Sequence, residues 1–413
     1  MADYDEMLKE FSETSRERLR AVWDSLPAEV QRDLIRMPQK FPGGLAQLKA
    51  LGKMALTQFR MAFGDKSAIA ILGPANVGKS TLYNQLIERK ADRAEVSPVP
   101  GTTRESRSAD AGLFAVVDTP GADAVGEVGE TEKERAFATA RDSDLLIIMF
   151  DAVQGIKKTE HELFEELAAL GMPYLVVLNK MDLARGAQKE VLGMAAASLN
   201  LAPEQMLGIS ARNGMDVERV LVAIAKSEPA IMAALGQALP EYRWRLAWTA
   251  ITGAASTSAV IALTPLPMLD FIPLIAIQSS LVLGIARIYN FKITPARARE
   301  LVATFGLGYL GRTLFQELSK LGGPPGWVLS AAIATSTTVV MGYAAIAWFE
   351  QGEKLSRESL KQLTSTLTAF LVETLKSLGK RRPERKKLRE RVADALAASP
   401  MAQERDKASI RSE

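Results

Sequence analysis

Between residues 63 and 228, short apolar runs alternate with amphipathic stretches. The runs at 68–72, 113–117, 145–150, 174–178 and 206–209 have the length and composition of buried parallel strands. The stretches between them suit helices. This alternation predicts βαβ units, and so an α/β doubly wound sheet, mostly parallel and six-stranded. The sixth strand is expected near 105–111, antiparallel at the edge. Residues 1–62 carry mixed charge, with Leu19, Val22, Trp23 and Leu26 at helical spacing, and are punctuated by Pro27 and Pro42-Gly43-Gly44. They read as an N-terminal helical extension.

The pattern changes after residue 228. Residues 246–263 are long enough to cross a bilayer. Pro265, Pro267 and Pro273 break that run, and 274–289 resumes it, which predicts an apolar helical hairpin. A second hairpin is expected over 300–349, turning at Gly322-Gly323-Pro324-Pro325-Gly326. Its second arm, 327–349, has no charged residue and carries Trp327 and Trp348 near its ends. Tryptophan favours membrane interfaces. Residues 229–375 are therefore expected to form an all-α, membrane-associated domain; the competing reading is a soluble bundle with a large apolar core. Small residues such as Ala254, Gly284 and Gly342 allow close helix packing in either setting. Residues 376–413 are a basic amphipathic tail. Leu388, Val392 and Leu396 recur at helical spacing among its cations, which suits anionic lipid or RNA phosphate.

The candidate chemistry lies at the carboxyl ends of the expected strands, where open α/β sheets bind ligands. Gly73-Pro74-Ala75-Asn76-Val77-Gly78-Lys79-Ser80 reads G-x-x-x-x-G-K-S. Such a loop points backbone N–H groups at phosphate oxygens, and the following helix, opening at Ser80-Thr81, adds its positive dipole end. Lys79 would reach the β- and γ-phosphates and Ser80 would ligate Mg²⁺. Thr102 and Thr103, in Pro100-Gly101-Thr102-Thr103-Arg104, can complete the Mg²⁺ shell when a γ-phosphate is present, which makes a switch. Asp118-Thr119-Pro120-Gly121 supplies a carboxylate for Mg²⁺ and, at Gly121, an amide to sense the γ-phosphate. In Asn179-Lys180-Met181-Asp182, Asp182 can accept from guanine N1–H and the exocyclic amine, a donor pair that adenine lacks. Asn179 would tie this loop to the phosphate loop, and the Lys180 stem would cover the base. In Ser210-Ala211, the Ala211 amide would meet guanine O6.

This ordered set resembles the translation-factor class of P-loop GTPases, and within it the Era/TrmE group of small bacterial GTPases. The resemblance implies GTP and GDP as ligands, Mg²⁺ at Ser80, Thr103 and Asp118, and hydrolysis served by Lys79, Thr103 and Gly121, slow without a partner or self-association. Ala122 stands where Ras-like enzymes place a water-orienting glutamine, so hydrolysis must recruit another group. In the Era/TrmE group an asparagine at the Asn76 position can help bind K⁺. K⁺ stimulation and a GTPase-domain homodimer are thus expectations of the resemblance, with a merely structural loop asparagine as the alternative. Pro265, Pro267, Asp270, Arg287 and Tyr289 sit in a region that resembles the helical domain of YcjF-type proteins, often predicted to be membrane-associated.

Composition changes this picture little. The 413 residues carry a net charge of +3, near balance, so overall charge implies no nucleic-acid role. There is no cysteine and a single histidine, His161, which excludes disulfides, thiolate metal sites and multi-histidine metal sites. His161 lies in a charged stretch and reads as a solvated helix residue. The expected location is the cytoplasmic face of a membrane, the inner membrane, with the cytoplasm as alternative. A ribosome- or RNA-associated factor and a nucleotide-gated membrane scaffold are the competing roles.

Overall fold

The computed structural model describes residues 61–62, 68–94, 113–119, 127–184, 186–263, 271–291, 325–352, 355–399 and 401–402. The chain divides into two compact units. One runs from Lys66 to Leu246, and the other holds Ala247 onward together with the described residues 61 and 62.

In the first unit five strands form one sheet: β1 (Ile69–Gly73), β2 (Phe114–Asp118), β3 (Leu145–Asp151), β4 (Tyr174–Asn179) and β5 (Met206–Gly208). Their order is β2-β1-β3-β4-β5, and every pairing is parallel. The expected edge strand near 105–111 lies outside the described residues, as do residues 1–60. The helices between strands are α1 (Lys79–Ala94), α2 (Glu127–Arg141), α3 (Lys158–Ala168), α4 (Gln188–Ser198) and α5 (Val217–Ser227). β1 and β3 are buried along their whole length. That explains their uninterrupted apolar sequence, since helices cover both faces of a parallel sheet. A core of Leu72, Leu146, Ile148, Phe150, Phe164, Leu178 and Met206 fixes β1, β3 and β4 as the central frame. Register then brings the strand ends level: Gly73 pairs with Asp118, and Asp151 with Asn179.

His161 is not the solvated residue the sequence suggests. Its side chain is 24% exposed, and Nε2 lies 3.3 Å from Glu165 Oε1. Past α5, the short α6 (Met232–Ala238) still belongs to this unit. The division falls between Leu246 and Ala247, inside α7 (Arg243–Ala262).

The second unit contains most of α7, then α8 (Phe271–Ile288), α9 (Gly326–Gln351), α10 (Arg357–Lys376) and α11 (Arg385–Ala397). The contacts give the helix directions. Ile251 and Leu281 both face Gly342, while Ser258 and Gln278 both face Thr338. Hence α7 runs antiparallel to α9, and α8 runs parallel to it. Ser336 meets Thr368 and Trp327 meets Lys380, so α10 runs antiparallel to α9. A polar layer crosses the four helices at one level. Gln278 Nε2 donates to Thr338 Oγ1 at 3.2 Å, Thr338 Oγ1 lies 3.0 Å from Ser258 Oγ, and Ser336 Oγ lies 2.6 Å from Thr368 Oγ1. Several of these hydroxyls also donate to the carbonyl one turn back, as Thr368 does to Thr364 O at 2.7 Å.

Two features of this unit bear on the expected membrane hairpins and tail. Among the described residues, Gly326–Glu350 is the single helix both long and apolar enough to cross a membrane, and most of it is buried against its neighbours. α7 meets the length alone. In the basic tail, the apolar side of α11 is packed within the unit, with Leu388, Val392 and Leu396 fully buried.

Candidate functional site

The phosphate loop leaves β1 at Gly73, whose φ is 154°. A β-carbon there would collide with the Met149 carbonyl, so close approach to β3 demands glycine. Gly78, at φ 99°, would drive a β-carbon into the Asn179 amide. Between them Asn76 adopts a left-handed φ of 64° and is exposed. Asparagine tolerates that region better than most residues. Ser80 and Thr81 are exposed at the start of α1, while Val77 and Lys79 are buried. The Lys79 ammonium is held inside the loop by Gly73 O at 2.8 Å and Pro74 O at 2.7 Å. The backbone N–H of Thr119 donates to the same Gly73 O at 2.9 Å, fastening the end of β2 to the loop. The backbone of Asp118 thus stands beside the loop, while Thr102, Thr103, Gly121 and Ala122 lie outside the described residues.

Asn179 joins three motifs. Its Nδ2 donates to Val77 O at 2.8 Å, and its Oδ1 accepts from Ala211 N–H at 2.8 Å. The residue is 3% exposed, so both bonds are made away from water. This is the tie expected from sequence, with Ala211 as an added anchor. Lys180 takes a left-handed φ of 66°, which turns the chain into the short helical turn Met181–Leu183 that carries Asp182. The half-buried Asp182 carboxylate makes no hydrogen bond or ion pair with the described residues. Ser210 and Ala211 are buried, and Ser210 N–H donates to Met215 O at 2.9 Å, closing the loop after β5.

Lys180 Nζ lies 2.6 Å from Asp151 Oδ2. Asp151 is 4% exposed, and its other oxygen accepts from Val153 N–H at 2.8 Å. Asp151 is the last residue of β3, which puts it on the side of the sheet where the motifs gather. Glu160 was missed altogether. It is buried at the start of α3, and loss of solvent pushes its carboxyl above the ordinary 4.5. A hydrogen bond from Lys157 N–H, at 3.3 Å, and the Lys157 charge oppose that rise, while the Asp151 charge adds to it. The signal for Glu160 was its place three residues after Lys157 at a helix start. Its burial could not be seen.

Comparison with known proteins also separates two domains, with the second match beginning inside α6, ahead of the division at Leu246. Residues 68–180 match the family described as 50S ribosome-binding GTPase, and residues 234–374 match a domain of unknown function, DUF697. GTPase Der of Brucella anthropi is 35% identical over 164 residues, which cover 38% of this chain and 32% of that protein. GTPase Der of Campylobacter concisus is 29% identical over 162 residues, 38% of this chain and 34% of that protein. The chain thus spans about a third of the length of the curated relatives it matches. Among solved structures, Aquifex aeolicus Era bound to GDP.AlF4- is 23% identical, with 46% of this chain and 67% of that chain covered, at a TM-score of 0.30. A chain of an oligomerised bacterial dynamin pair is 13% identical, with 88% and 78% covered, at a TM-score of 0.28. The chain carries a small bacterial P-loop GTPase domain followed by a helical DUF697 domain.

Proposed function

We propose that this protein is a GTP-binding and GTP-hydrolysing switch whose helical unit associates with a membrane. The Asn179 bridge carries the nucleotide half: it joins the phosphate loop, the Asp182 turn and Ala211 into one site. Asp182, half-buried and unbonded to the described residues, would then serve as a carboxylate acceptor for guanine. Lys79 and the loop amides would hold the β- and γ-phosphates. Ser80 lies in the first turn of α1 and Asp118 ends β2, at the carboxyl ends of the paired strands β1 and β2, and both would hold Mg²⁺ with Thr103. When bound, the metal would neutralise charge on the phosphates. Lys180 would lay its stem along the base, with Asp151 setting its direction. Exposed Asn76 suits a role with K⁺. Val153 and Leu183, 62% and 52% exposed beside Asp151 and Asp182, offer apolar surface to a second GTPase domain.

The membrane half is supported by the uncharged stretch within α9. The location that follows is the cytoplasmic face of the inner membrane, where GTP is available. The ribosome- or RNA-associated reading, with a soluble helical unit, draws on the description of the matched family and on the basic tail. A nucleotide-gated scaffold would instead show nucleotide-dependent assembly on liposomes.

The full chain should bind GTP and GDP about a thousandfold or more tighter than ATP, because a site built for guanine donors leaves its acceptors unpaired with adenine. Equal binding of GTP and ATP refutes the nucleotide half. Native protein in low-salt lysates should sediment with membranes and be released by detergent; recovery wholly in the soluble fraction refutes the membrane half. Equal turnover in K⁺ and Na⁺ at matched ionic strength, across enzyme concentrations, removes potassium.

A further inference from the structure

None of the nucleotide motifs draws on the cationic residues 380–391. From Lys380 to Arg391 the chain carries eight Lys and Arg side chains against two Glu, a surplus of six positive charges. All ten are exposed, and no ion pair joins any of them to a described residue. The apolar positions of the same helix face inward, with Leu388, Val392 and Leu396 fully buried.

The cations are also anchored in place. Trp327 Nε1–H donates to Lys380 O at 3.1 Å, and an Arg391 guanidinium N–H donates to Ser377 Oγ at 3.4 Å. The loop between α10 and α11 is therefore pinned to the first turn of α9. Charge collects at one end of a helix whose next two dozen residues are nearly all uncharged. Trp327, which the sequence suggested as an interfacial anchor, is turned inward to hold that loop.

We infer that this surface docks on anionic lipid headgroups by charge alone. The inference rests on the membrane reading of the helical unit and specifies how the contact is made. Insertion of an apolar stripe is unavailable, because α11 already spends its stripe inside the unit. Lipid fits better than nucleic acid. Residues 380–391 contain no aromatic side chain to stack on bases, and their loop is fastened at Lys380 to the start of the apolar α9. Attraction of this kind is strong at low salt and decays within a Debye length.

The test is co-sedimentation of the full chain with vesicles of phosphatidylcholine alone or mixed with phosphatidylglycerol. Wild-type protein should pellet only with the mixed vesicles and be released as salt rises from about 0.1 M to about 0.5 M. The variant combining Arg381→Gln, Arg382→Gln, Lys386→Gln and Lys387→Gln should bind about a hundredfold or more weaker, with GTP binding unchanged. Binding to neutral vesicles that matches the mixed ones, resists salt or survives in the variant would overturn charge docking and leave membrane association standing. Absence from every vesicle pellet would overturn both. Tighter binding to an RNA duplex than to mixed vesicles at the same salt would also overturn it, by assigning the surface to nucleic acid. If the variant unfolds at a lower temperature than wild type, the wild-type salt and lipid series decides alone.

Discussion

Replacing Asn179 by alanine removes both bonds that join the phosphate loop to the guanine side of the site. Val77 O and Ala211 N–H each lose a partner at 2.8 Å. Val77 is 4% exposed and Ala211 fully buried, so water has little access to either group. Leaving a buried donor or acceptor unpaired costs about 1–3 kcal/mol, so the two together cost about 2–6 kcal/mol. Part of the loss falls on folding, since both bonds exist without nucleotide. The rest falls on affinity, because the loop amides and Ala211 are no longer held in one geometry. Urea unfolding and titration with a fluorescent GDP analogue measure the two shares, and their sum should lie in that range. Asn179→Asp is the sharper variant. It keeps an acceptor for Ala211 N–H but sets a carboxylate oxygen against Val77 O, so it should be at least as damaging as alanine. If both variants stay within about 0.5 kcal/mol in stability and about twofold in affinity, Asn179 is not the tie described here.

Asp182→Asn should weaken GTP binding by about a hundredfold or more while favouring xanthosine triphosphate, whose 2-oxo group accepts from the new amide; competition binding reads both. Glu160→Gln should raise stability at neutral pH. The raised pKa means the folded state favours the protonated carboxyl, so the stability it contributes is full below the unfolded value near 4.5 and lost as pH rises through the higher folded value. The variant's advantage should therefore vanish in acid, and an advantage that grows in acid would refute this. Gly342→Ala puts a β-carbon into Ile251 and against Leu281, and should cost about 1–3 kcal/mol by urea unfolding. No measurable change would mean that α7, α8 and α9 do not cross as closely as described.

Much of the first unit was legible in the sequence. Each of the five strands lies within one residue of its expected bounds, because strands buried on both faces must be uninterrupted apolar runs. Gly73, Gly78, Lys79, Asn179 and Ser210 were recognisable because phosphate and guanine chemistry constrain both residue type and spacing. The second unit was harder. Its apolar runs satisfy a bilayer or a buried core alike, so length misled for α7, and the inward side of α11 could not be read. The three- and four-residue polar runs at Ser256-Thr257-Ser258, Gln278-Ser279-Ser280 and Thr335-Ser336-Thr337-Thr338 were visible but carried no meaning until register set them level.

The sequence by itself determined the succession of strands and helices along the first unit, the nucleotide motifs and the change of composition after that unit. These are local properties of residue type and period. Tertiary structure alone decided which groups meet across long separations: Asn179 with Val77 and Ala211, Lys180 with Asp151, Gln278 with Thr338, and Trp327 with Lys380. It also decided which face of α11 is spent on packing and which is left charged to solvent. A periodic pattern states that a helix has an apolar side, but only its neighbours settle what covers that side.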